Sequence, residues 1–229
     1  MKSPSLKFDA VCFDCDSTLT RIEGIDELAR RSGCEPKIAS LTEAAMNGSI
    51  PLEAVYAKRL ELVRPDRAAL AWLAGRYGDE MVSGAAETIA TLRGHGKAVY
   101  IVTSGLLQAV AEFARILGLV PAQVRAVEVH LDAAGAYQGF NAGSPLCRSD
   151  GKAIVCRRIA ATHGSVAMVG DGMTDLAARA GGAYVVGYGG VVYRDIMRRE
   201  ADWYITGPSL TATLPALLTI EESRSDCGV

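Results

Sequence analysis

FDAVCFDCDSTLT, residues Phe8–Thr20, is an apolar run that ends on a group of polar side chains. If the run forms a buried strand, Asp14 and Asp16 leave its carboxyl end on the same side, because side chains repeat every two residues along a strand. Neighbouring carboxylates remain ionised more readily beside a cation, which favours a metal site or a phosphate-handling site. Asp and Ser are also ordinary helix-capping residues. By itself the stretch leaves both interpretations open.

The composition is typical of a soluble globular protein and gives no sign of a nucleic-acid surface. The chain has 229 residues, of which 49% are hydrophobic and 22% charged, with a formal net charge of -2. This length permits one domain, or one domain with a sizeable insertion. No segment clusters Lys and Arg with aromatic residues, so we expect no nucleic-acid partner.

Two further features predict a cytoplasmic protein that has no membrane partner. The N-terminal segment MKSPSLKFDAV lacks an apolar region followed by a cleavage site, and no later run has the roughly 18 apolar residues of a membrane helix. Six cysteines are scattered along the chain, which favours reduced thiols over a disulfide framework. Cys12 and Cys15 form a C-x-x-C, but Cys12 lies inside the predicted strand, which disfavours a redox or zinc site.

The segment after the first strand has helical periodicity and no strand signal from about Arg21 to Asp79. The apolar positions of the four predicted helices are Ile25, Leu28 and Ala29; Ile38, Leu41 and Ala45; Leu52, Val55, Tyr56, Leu60 and Val63; and Leu70, Leu73 and Ala74. Four helices are too many for one crossover between strands. The sequence therefore predicts an α/β catalytic core, residues 1–20 and 82–229, with an inserted helical cap, residues 21–81.

Beyond Val82 short apolar runs alternate with helical segments, which predicts a doubly wound parallel sheet. The predicted strands are Ala98–Val102, Val166–Val169, Tyr184–Val186 and Trp203–Ile205, with a hairpin of Val124–Leu131 and Ala136–Phe140. The predicted helices are Glu87–His95, Leu106–Leu117, Lys152–His163, Met173–Arg179, Val191–Arg199 and Ser209–Ile220. Ligands of such sheets gather at the carboxyl ends of the strands.

Polar residues follow three of these strands at the edge where the carboxyl ends meet. Asp14 and Asp16 follow the first strand, Thr103, Ser104 and Gly105 the second, and GDGMTD, residues 170–175, a third. Carboxylates facing one another, with hydroxyls and exposed amides between them, suit a hard cation and a phosphoryl oxygen. Considered alone, GDGMTD is also typical of a tight turn and a capped helix. The convergence favours the functional interpretation.

Two basic residues lie on apolar helix faces. Lys152 is in register with Val155 and Ile159 and begins its helix, where a cation opposes the helix dipole, so we expect a nearby anion. A lysine whose stem covers the core is the alternative. Arg59 lies within the buried stripe of the third helix. Its guanidinium requires a carboxylate, which is either structural, such as Glu23 or Glu27, or part of a ligand.

These residues resemble the haloacid dehalogenase superfamily, whose pattern is D-x-D-x-[TV], a Ser or Thr after the second strand, a Lys, and G-D-x-x-x-D. Within it they are most similar to the phosphoserine phosphatase family. The matching segments are FDCDST, EGIDELA at Glu23–Ala29, Met46 with Pro51, KRL at Lys58–Leu60, Thr103–Gly105, DGK at Asp150–Lys152, GDGMTD, GYGG and ADWYIT. The resemblance implies the haloacid dehalogenase-like fold with its inserted cap.

The resemblance also implies roles for individual residues. Asp14 would be the nucleophile that forms an aspartyl phosphate, and Asp16 the general acid and base. Mg²⁺ would be held by Asp14, the Asp16 carbonyl and Asp171, with Asp175 in support. Thr103 and Lys152 would bind the phosphoryl group, Glu23 the substrate ammonium and Arg59 its carboxylate. The further substrate-binding residues implied are Met46, Ser104, Gly105 and Thr174.

The expected activity is magnesium-dependent hydrolysis of O-phospho-L-serine, a small phosphorylated substrate, by a monomer or homodimer. One motif differs, since the family commonly has Ser-Gly-Gly where this chain has Thr103-Ser104-Gly105. The alternatives are the same chemistry on another small phosphorylated amino acid or sugar acid, phosphoryl transfer to an alcohol, and a silent receiver-like domain. A dinucleotide-binding dehydrogenase is disfavoured because no G-x-G-x-x-G begins the first helix.

Overall fold

The computed structural model of the chain describes residues 8–46 and 49–219, without the side chains of Lys37 and Met46. The strands in this part are β1 (Ala10–Phe13), β2 (Ala98–Leu106), β3 (Val124–Val127), β4 (Val129–Leu131), β5 (Tyr137–Phe140), β6 (Val166–Gly170), β7 (Tyr184–Tyr188) and β8 (Trp203–Ile205). The helices are α1 (Gly24–Ser32), α2 (Glu35–Met46), α3 (Leu52–Val63), α4 (Arg67–Asp79), α5 (Ala85–Gly94), α6 (Leu107–Ile116), α7 (Gly151–His163), α8 (Met173–Leu176), α9 (Asp195–Glu200) and α10 (Leu214–Leu217).

Six of these strands form one parallel sheet in the order β3-β2-β1-β6-β7-β8. Every residue of β1 and of β6 is buried, as expected for apolar runs that are covered by helices on both faces. The predicted doubly wound α/β fold is confirmed.

The strand order reverses between β1 and β6, and this reversal positions the candidate site. The chain moves from β1 outward through β2 and β3, and then returns to place β6 on the other side of β1. Phe13 lies in register with Val169, so the residues that follow the two strands are neighbours. A crevice opens at such a switch point, outside the carboxyl ends of the strands.

Helices α1 to α4 lie between β1 and β2 in the chain and form the segment that was predicted as the cap. Asp66 caps α4 by accepting a hydrogen bond from the backbone of Ala69 at 2.7 Å. The chain segments that lead into and out of these helices run side by side, joined by an antiparallel bridge between Thr20 and Met81. We call residues 21–81 the helical insertion.

The hairpin prediction was partly wrong. The predicted strand Val124–Leu131 is two strands: β3 pairs with β2 in the parallel sheet, and β4 pairs with β5 in an antiparallel pair. Gln108 on α6 hydrogen-bonds both the N–H and the C=O of Val129. These bonds occupy the backbone groups of Val129, so the chain leaves the main sheet after Val127.

The second strand is longer than predicted. β2 continues through Thr103, Ser104 and Gly105 to Leu106, although the sequence places these polar residues after the strand. The pairing of β2 with β3 shifts register between Val102 and Leu106. The polar residues therefore lie in an irregular end of the strand, which still faces the crevice.

The helices in the C-terminal third are shorter than predicted. The helix expected at Val191–Arg199 begins only at Asp195, because Arg194 is extended and its side chain is paired elsewhere. The helices expected at Met173–Arg179 and Ser209–Ile220 are each divided between a short α-helix and a 3₁₀ turn. Ile220 lies outside the described residues. None of the described helices has the length and apolar character needed to cross a membrane.

Candidate active site

A cavity lies between the carboxyl edge of the sheet and the helical insertion. Most of the predicted site residues line it: Asp14, Asp16, Glu23, Arg59, Thr103, Ser104, Gly105, Lys152 and Thr174. Asp171 and Asp175 lie within reach of Asp14 at one end. Met46 ends α2, but its side chain lies outside the described part of the chain. The structure thus brings together residues from β1, β2, α7, the loop after β6 and the helical insertion.

Asp14 follows β1 directly and is held in one orientation. Its Oδ1 accepts a hydrogen bond from the backbone N–H of Cys15 at 2.8 Å, and its Oδ2 lies 2.8 Å from Lys152 Nζ. Its backbone N–H donates to Val169 of β6 at 2.9 Å. A fixed, nearly buried carboxylate at the head of a cavity is suited to nucleophilic attack.

Asp16 connects the sheet to the helical insertion. Its Oδ2 accepts a hydrogen bond from the backbone N–H of Gly24 at 3.1 Å, at the first residue of α1. A Cβ on Gly24 would lie 2.1 Å from the Tyr77 hydroxyl, so only glycine permits this approach. Burial, and then the charge of Asp14, raise the pKa of Asp16 to about 7. A carboxyl with such a pKa can both give and take a proton near neutral pH.

Ser17 gives the loop after Asp16 an unusual backbone. Its φ of 53° lies in the left-handed region, which non-glycine residues rarely adopt. The Ser17 hydroxyl donates to Glu23 Oε1 at 2.7 Å, and this bond places Glu23 at the wall of the cavity. Burial, and then the charge of Asp16, raise the pKa of Glu23 to about 8. Strained residues of this kind are common at functional sites.

Lys152 is buried among carboxylates and does not reach solvent. Its Nζ lies 2.8 Å from Asp14 Oδ2 and 2.6 Å from Asp175 Oδ1, and the residue is 1% exposed. Burial disfavours the ammonium, but the charges of Asp14 and Asp175 outweigh this effect and raise the pKa of Lys152 above its usual value. The anion expected beside this lysine is therefore supplied by the protein itself.

Three carboxylates form a group that fits a divalent cation. One oxygen from each of Asp14, Asp171 and Asp175 lies within 4.8 Å of the others, and all three residues are buried. A fourth carboxylate, that of Asp16, keeps its Oδ1 buried without a hydrogen-bond partner in the described part of the chain. An oxygen-only donor set suits a hard cation such as Mg²⁺.

The charges of this group lead to the same conclusion. Its two cations are Lys152 and Arg194, which lies 2.9 Å from Asp171 Oδ2. When ionised, the three carboxylates of Asp14, Asp171 and Asp175 carry one more negative charge than these two cations, which favours the binding of a further cation. Burial, and then the charge of Glu23, raise the pKa of Asp171 to about 7.

Thr103 presents its hydroxyl group to the cavity. The backbone N–H of Gly105 donates to Thr103 Oγ1 at 3.1 Å, which leaves the hydroxyl proton available to a ligand. Tyr56, on α3, donates its hydroxyl to the backbone C=O of Ser104 at 2.7 Å. This hydrogen bond joins the helical insertion to the end of β2.

Arg59 is buried in the helical insertion and faces the cavity. Its Nη1 donates to Thr42 Oγ1 at 3.2 Å, and within the described residues it forms no salt bridge. Glu27, one of the two proposed structural partners, instead pairs with Arg30 and Arg76, so that suggestion was wrong. Burial lowers the pKa of Arg59, as expected for a cation without a direct carboxylate.

Three residues of this site did not appear among the sequence-predicted ones. Arg194 pairs with Asp171, Thr42 supports Arg59, and the ring of Tyr56 lies 5.8 Å from the guanidinium carbon of Arg59. Thr42 had a detectable signal, because it falls on the apolar face of α2, one turn after Ile38. Arg194 had none, since the sequence pattern placed it inside a helix.

The comparisons with known proteins agree with this geometry. Residues 8–182 match the family model described as haloacid dehalogenase-like hydrolase. Phosphoserine phosphatase from Bos taurus is 34% identical over 200 residues, which cover 86% of this chain and 89% of that protein. A substrate-bound phosphoserine phosphatase complex superposes with a TM-score of 0.79 at 27% identity, covering 93% of this chain and 99% of the other. A phospho-aspartyl intermediate analogue of phosphoserine phosphatase gives a TM-score of 0.77, also at 27% identity, with coverages of 93% and 100%.

The fold, the acidic strand ends and the buried lysine are those of a hydrolase with a haloacid dehalogenase-like core. Within that class the similarity extends over most of the chain, including the helical insertion. The chain belongs to the phosphoserine phosphatase family of the haloacid dehalogenase-like hydrolases.

Proposed function

We propose that the protein hydrolyses O-phospho-L-serine to L-serine and phosphate through an aspartyl phosphate on Asp14. The main support is that one cavity is lined by Asp14 and Lys152 as well as by Glu23 and Arg59. The first pair suits a phosphoryl group, and the second pair suits the ammonium and carboxylate of a free amino acid. The phosphoserine phosphatases named above provide independent support.

In the first step an Asp14 oxygen attacks phosphorus. The new P–O bond to Asp14 forms as the bond between phosphorus and the serine oxygen breaks, and the leaving alkoxide takes a proton from Asp16. A pKa of about 7 suits Asp16 to this role, because a large fraction of the carboxyl carries the required proton near neutral pH. L-serine is the first product.

In the second step water attacks phosphorus and releases the enzyme. Asp16, now deprotonated, accepts a proton from the water, and the P–O bond to Asp14 breaks to give phosphate. The same carboxyl therefore serves as acid and then as base, which returns the site to its starting protonation state.

Lys152 and Thr103 stabilise the charge on the transferred phosphoryl group. Lys152 contributes a positive charge in a buried setting. Thr103 contributes a hydroxyl proton, because its oxygen already accepts the N–H of Gly105 and no acceptor for the proton is found within the described part of the chain. Asp14, the Asp16 carbonyl and Asp171 would hold Mg²⁺, with Asp175 in support, and the ion would supply further positive charge. Thr174, also buried beside the cavity, is proposed to contact the same group.

The helical insertion is proposed to act as a cap that selects the substrate and excludes water. Glu23 would bind the ammonium and Arg59 the carboxylate of phosphoserine, and Ser104 and Gly105 also line the pocket. Met46 stays a prediction of the family resemblance, because its side chain lies outside the described part of the chain. The hydrogen bond from Tyr56 to the Ser104 backbone supports this role, because it connects the insertion to the core at the cavity.

Phosphate release from a panel of small esters tests the proposal. With Mg²⁺ present, we expect phosphoserine to be hydrolysed with a much higher kcat/KM than phosphoethanolamine, which lacks the carboxylate, or p-nitrophenyl phosphate. Arg59→Ala should remove this preference while p-nitrophenyl phosphate turnover persists, and Asp14→Asn should abolish both activities. Equal turnover of all three esters, unchanged in Arg59→Ala, would contradict the assignment to phosphoserine. Including phosphothreonine and phosphoglycerate tests the alternative substrates.

We further propose that the enzyme acts in the cytoplasm, in serine biosynthesis, as a monomer or homodimer. The five described cysteines are all free, which is usual in a reducing compartment. Rescue of a serine auxotroph that lacks its own phosphatase, with no rescue by Asp14→Asn, would support the pathway assignment.

A further inference from the structure

Arg59 is held in place by an uncharged group. Its side chain is 5% exposed, and its Nη1 donates to the hydroxyl of Thr42 on α2 at 3.2 Å. The ring of Tyr56 lies 5.8 Å from the guanidinium carbon. The Nε of Arg59 is buried and has no hydrogen-bond partner among the described residues. A buried N–H without a partner is costly, so the guanidinium of Arg59, a residue that lines the cavity, keeps an unsatisfied donor.

The Thr42 hydroxyl connects Arg59 to the carboxylate of Asp26 through two hydrogen bonds. A hydroxyl has one proton to donate, and Thr42 already accepts a hydrogen bond from Arg59. Two acceptors lie within reach of that proton: Asp26 Oδ1 at 2.7 Å and the Ile38 carbonyl at 3.3 Å. The shorter bond, to a carboxylate, is the stronger one. The chain of hydrogen bonds therefore runs from Arg59 on α3 through Thr42 on α2 to Asp26 on α1.

This arrangement differs from a salt bridge in a way that affects ligand binding. A carboxylate in direct contact with Arg59 would neutralise it and compete with an anionic ligand. Here the Thr42 hydroxyl lies between the carboxylate of Asp26 and the guanidinium of Arg59. The hydrogen bonds orient Arg59, while its Nε has no partner among the described residues. An Arg guanidinium binds carboxylates through a rigid fork, and affinity depends on the angle at which the fork is presented.

We infer that Thr42 and Asp26 are positioning residues that give the enzyme its preference for a substrate with a carboxylate. Neither residue needs to touch the substrate, because both act through Arg59. The inference rests on the proposed function, since it requires Arg59 to bind the substrate carboxylate. It adds that the orientation of Arg59 depends on two residues that belong to two other helices of the insertion.

The test compares phosphoserine with phosphoethanolamine in the intact protein with Mg²⁺. Thr42→Val keeps the shape of the side chain and removes the hydroxyl. We expect the KM for phosphoserine to rise about tenfold, the size of one hydrogen bond to a charged group. The kcat for phosphoserine and both constants for phosphoethanolamine should change less than about twofold. Thr42→Ser, which restores the hydroxyl, should return the KM to the parent value.

A matched control and a second variant separate positioning from a loss of structure. Thr88→Val makes the same change at a buried threonine on α5 whose hydroxyl has no partner among the described residues. It should leave both substrates unaffected. Asp26→Ala, at a half-buried position, should also raise the KM for phosphoserine. The double variant with Thr42→Val should be no worse than Thr42→Val alone, because the two residues act in one chain.

The possible failures are distinguishable. If the parent protein does not prefer phosphoserine to phosphoethanolamine, both the proposed function and the inference are wrong. If the parent shows the preference and both Thr42→Val and Asp26→Ala retain it, only the inference is wrong. If the variants lose activity on both substrates equally, while circular dichroism shows a folded protein, the positioning role is also contradicted.

Discussion

Removing the positive charge of Lys152 should destabilise the protein, and Mg²⁺ should reverse part of the loss. Lys152→Met keeps the length of the side chain, so the change is mainly electrostatic. Nζ lies 2.8 Å from Asp14 and 2.6 Å from Asp175. At an effective dielectric constant of about 20 each attraction amounts to about 6 kcal/mol, and burial of the ions costs several kcal/mol per ion. The expected net loss in free energy of unfolding is about 3–5 kcal/mol, the usual cost of leaving buried charges without their partner.

Urea unfolding followed by circular dichroism measures this loss, once with a chelator and once with excess Mg²⁺. When the free ion concentration is 100 times the dissociation constant, binding adds about 2.7 kcal/mol to the free energy of unfolding. We expect Mg²⁺ to stabilise the variant more than the parent, because the carboxylates no longer have the lysine as a counter-charge. Lys58→Met, at an exposed lysine of α3, is the control and should change stability by less than about 0.5 kcal/mol. The same unfolding midpoint for Lys152→Met and the parent in chelator would refute the electrostatic account.

Three further predictions concern the helical insertion and backbone packing. Tyr56→Phe removes the hydrogen bond to the Ser104 carbonyl, so we expect the free energy of unfolding in urea to fall by about 1 kcal/mol and the KM for phosphoserine to rise by up to about fivefold in steady-state assays. Glu23→Gln should raise the KM for phosphoserine but not for phospholactate, which lacks the ammonium; an equal rise for both esters would argue against Glu23 as the ammonium site. Gly75→Ala, within α4 with open space around it, should stabilise by about 0.5–1 kcal/mol, whereas Gly181→Ala should destabilise by about 1–3 kcal/mol, because its Cβ would lie 2.1 Å from a backbone carbonyl of α7; a lower melting temperature for Gly75→Ala, or an unchanged or higher one for Gly181→Ala, would contradict this packing.

The sequence was sufficient to predict that polar residues meet at one edge of the sheet, and the reason is physical. Parallel strands place their carboxyl ends on one edge, so Asp14 and Asp171 were expected at the same edge of the sheet. The structure adds that β1 and β6 are neighbours, which brings the two carboxylates together. Lys152 was detectable because a cation on an apolar helix face requires an anion. Its two partners are Asp14, directly after β1, and Asp175, in the short helix that follows β6. Periodicity therefore sufficed for the sheet and for much of the site.

The remaining features depend on contacts that periodicity does not encode. Thr103 lies inside β2 because the strand continues through an irregular pairing, and β3 separates from β4 because Gln108 holds the backbone of Val129. Arg194 is extended because it pairs with Asp171, a residue 23 positions earlier in the chain. Long-range pairing of this kind overrides local helical preference.

Arg59 shows how far sequence reasoning extends. Its position in a buried stripe correctly indicated an unusual arginine, and the suggestion of Glu27 as its partner was wrong. The actual partner, Thr42, belongs to a helix whose packing against α3 is decided by the whole insertion. Which polar residue meets a buried cation is a question of tertiary geometry and not of spacing along one helix.

The most direct test of the account is whether phosphate becomes attached to Asp14 during turnover. Protein mixed briefly with radioactive phosphoserine and Mg²⁺ is quenched in acid, and borohydride then reduces any aspartyl phosphate to homoserine, which peptide mass spectrometry locates. We predict acid-stable label on the parent protein, homoserine at position 14, and no label in Asp14→Asn. Active turnover without protein-bound label, or with homoserine at another position, would contradict Asp14 as the nucleophile.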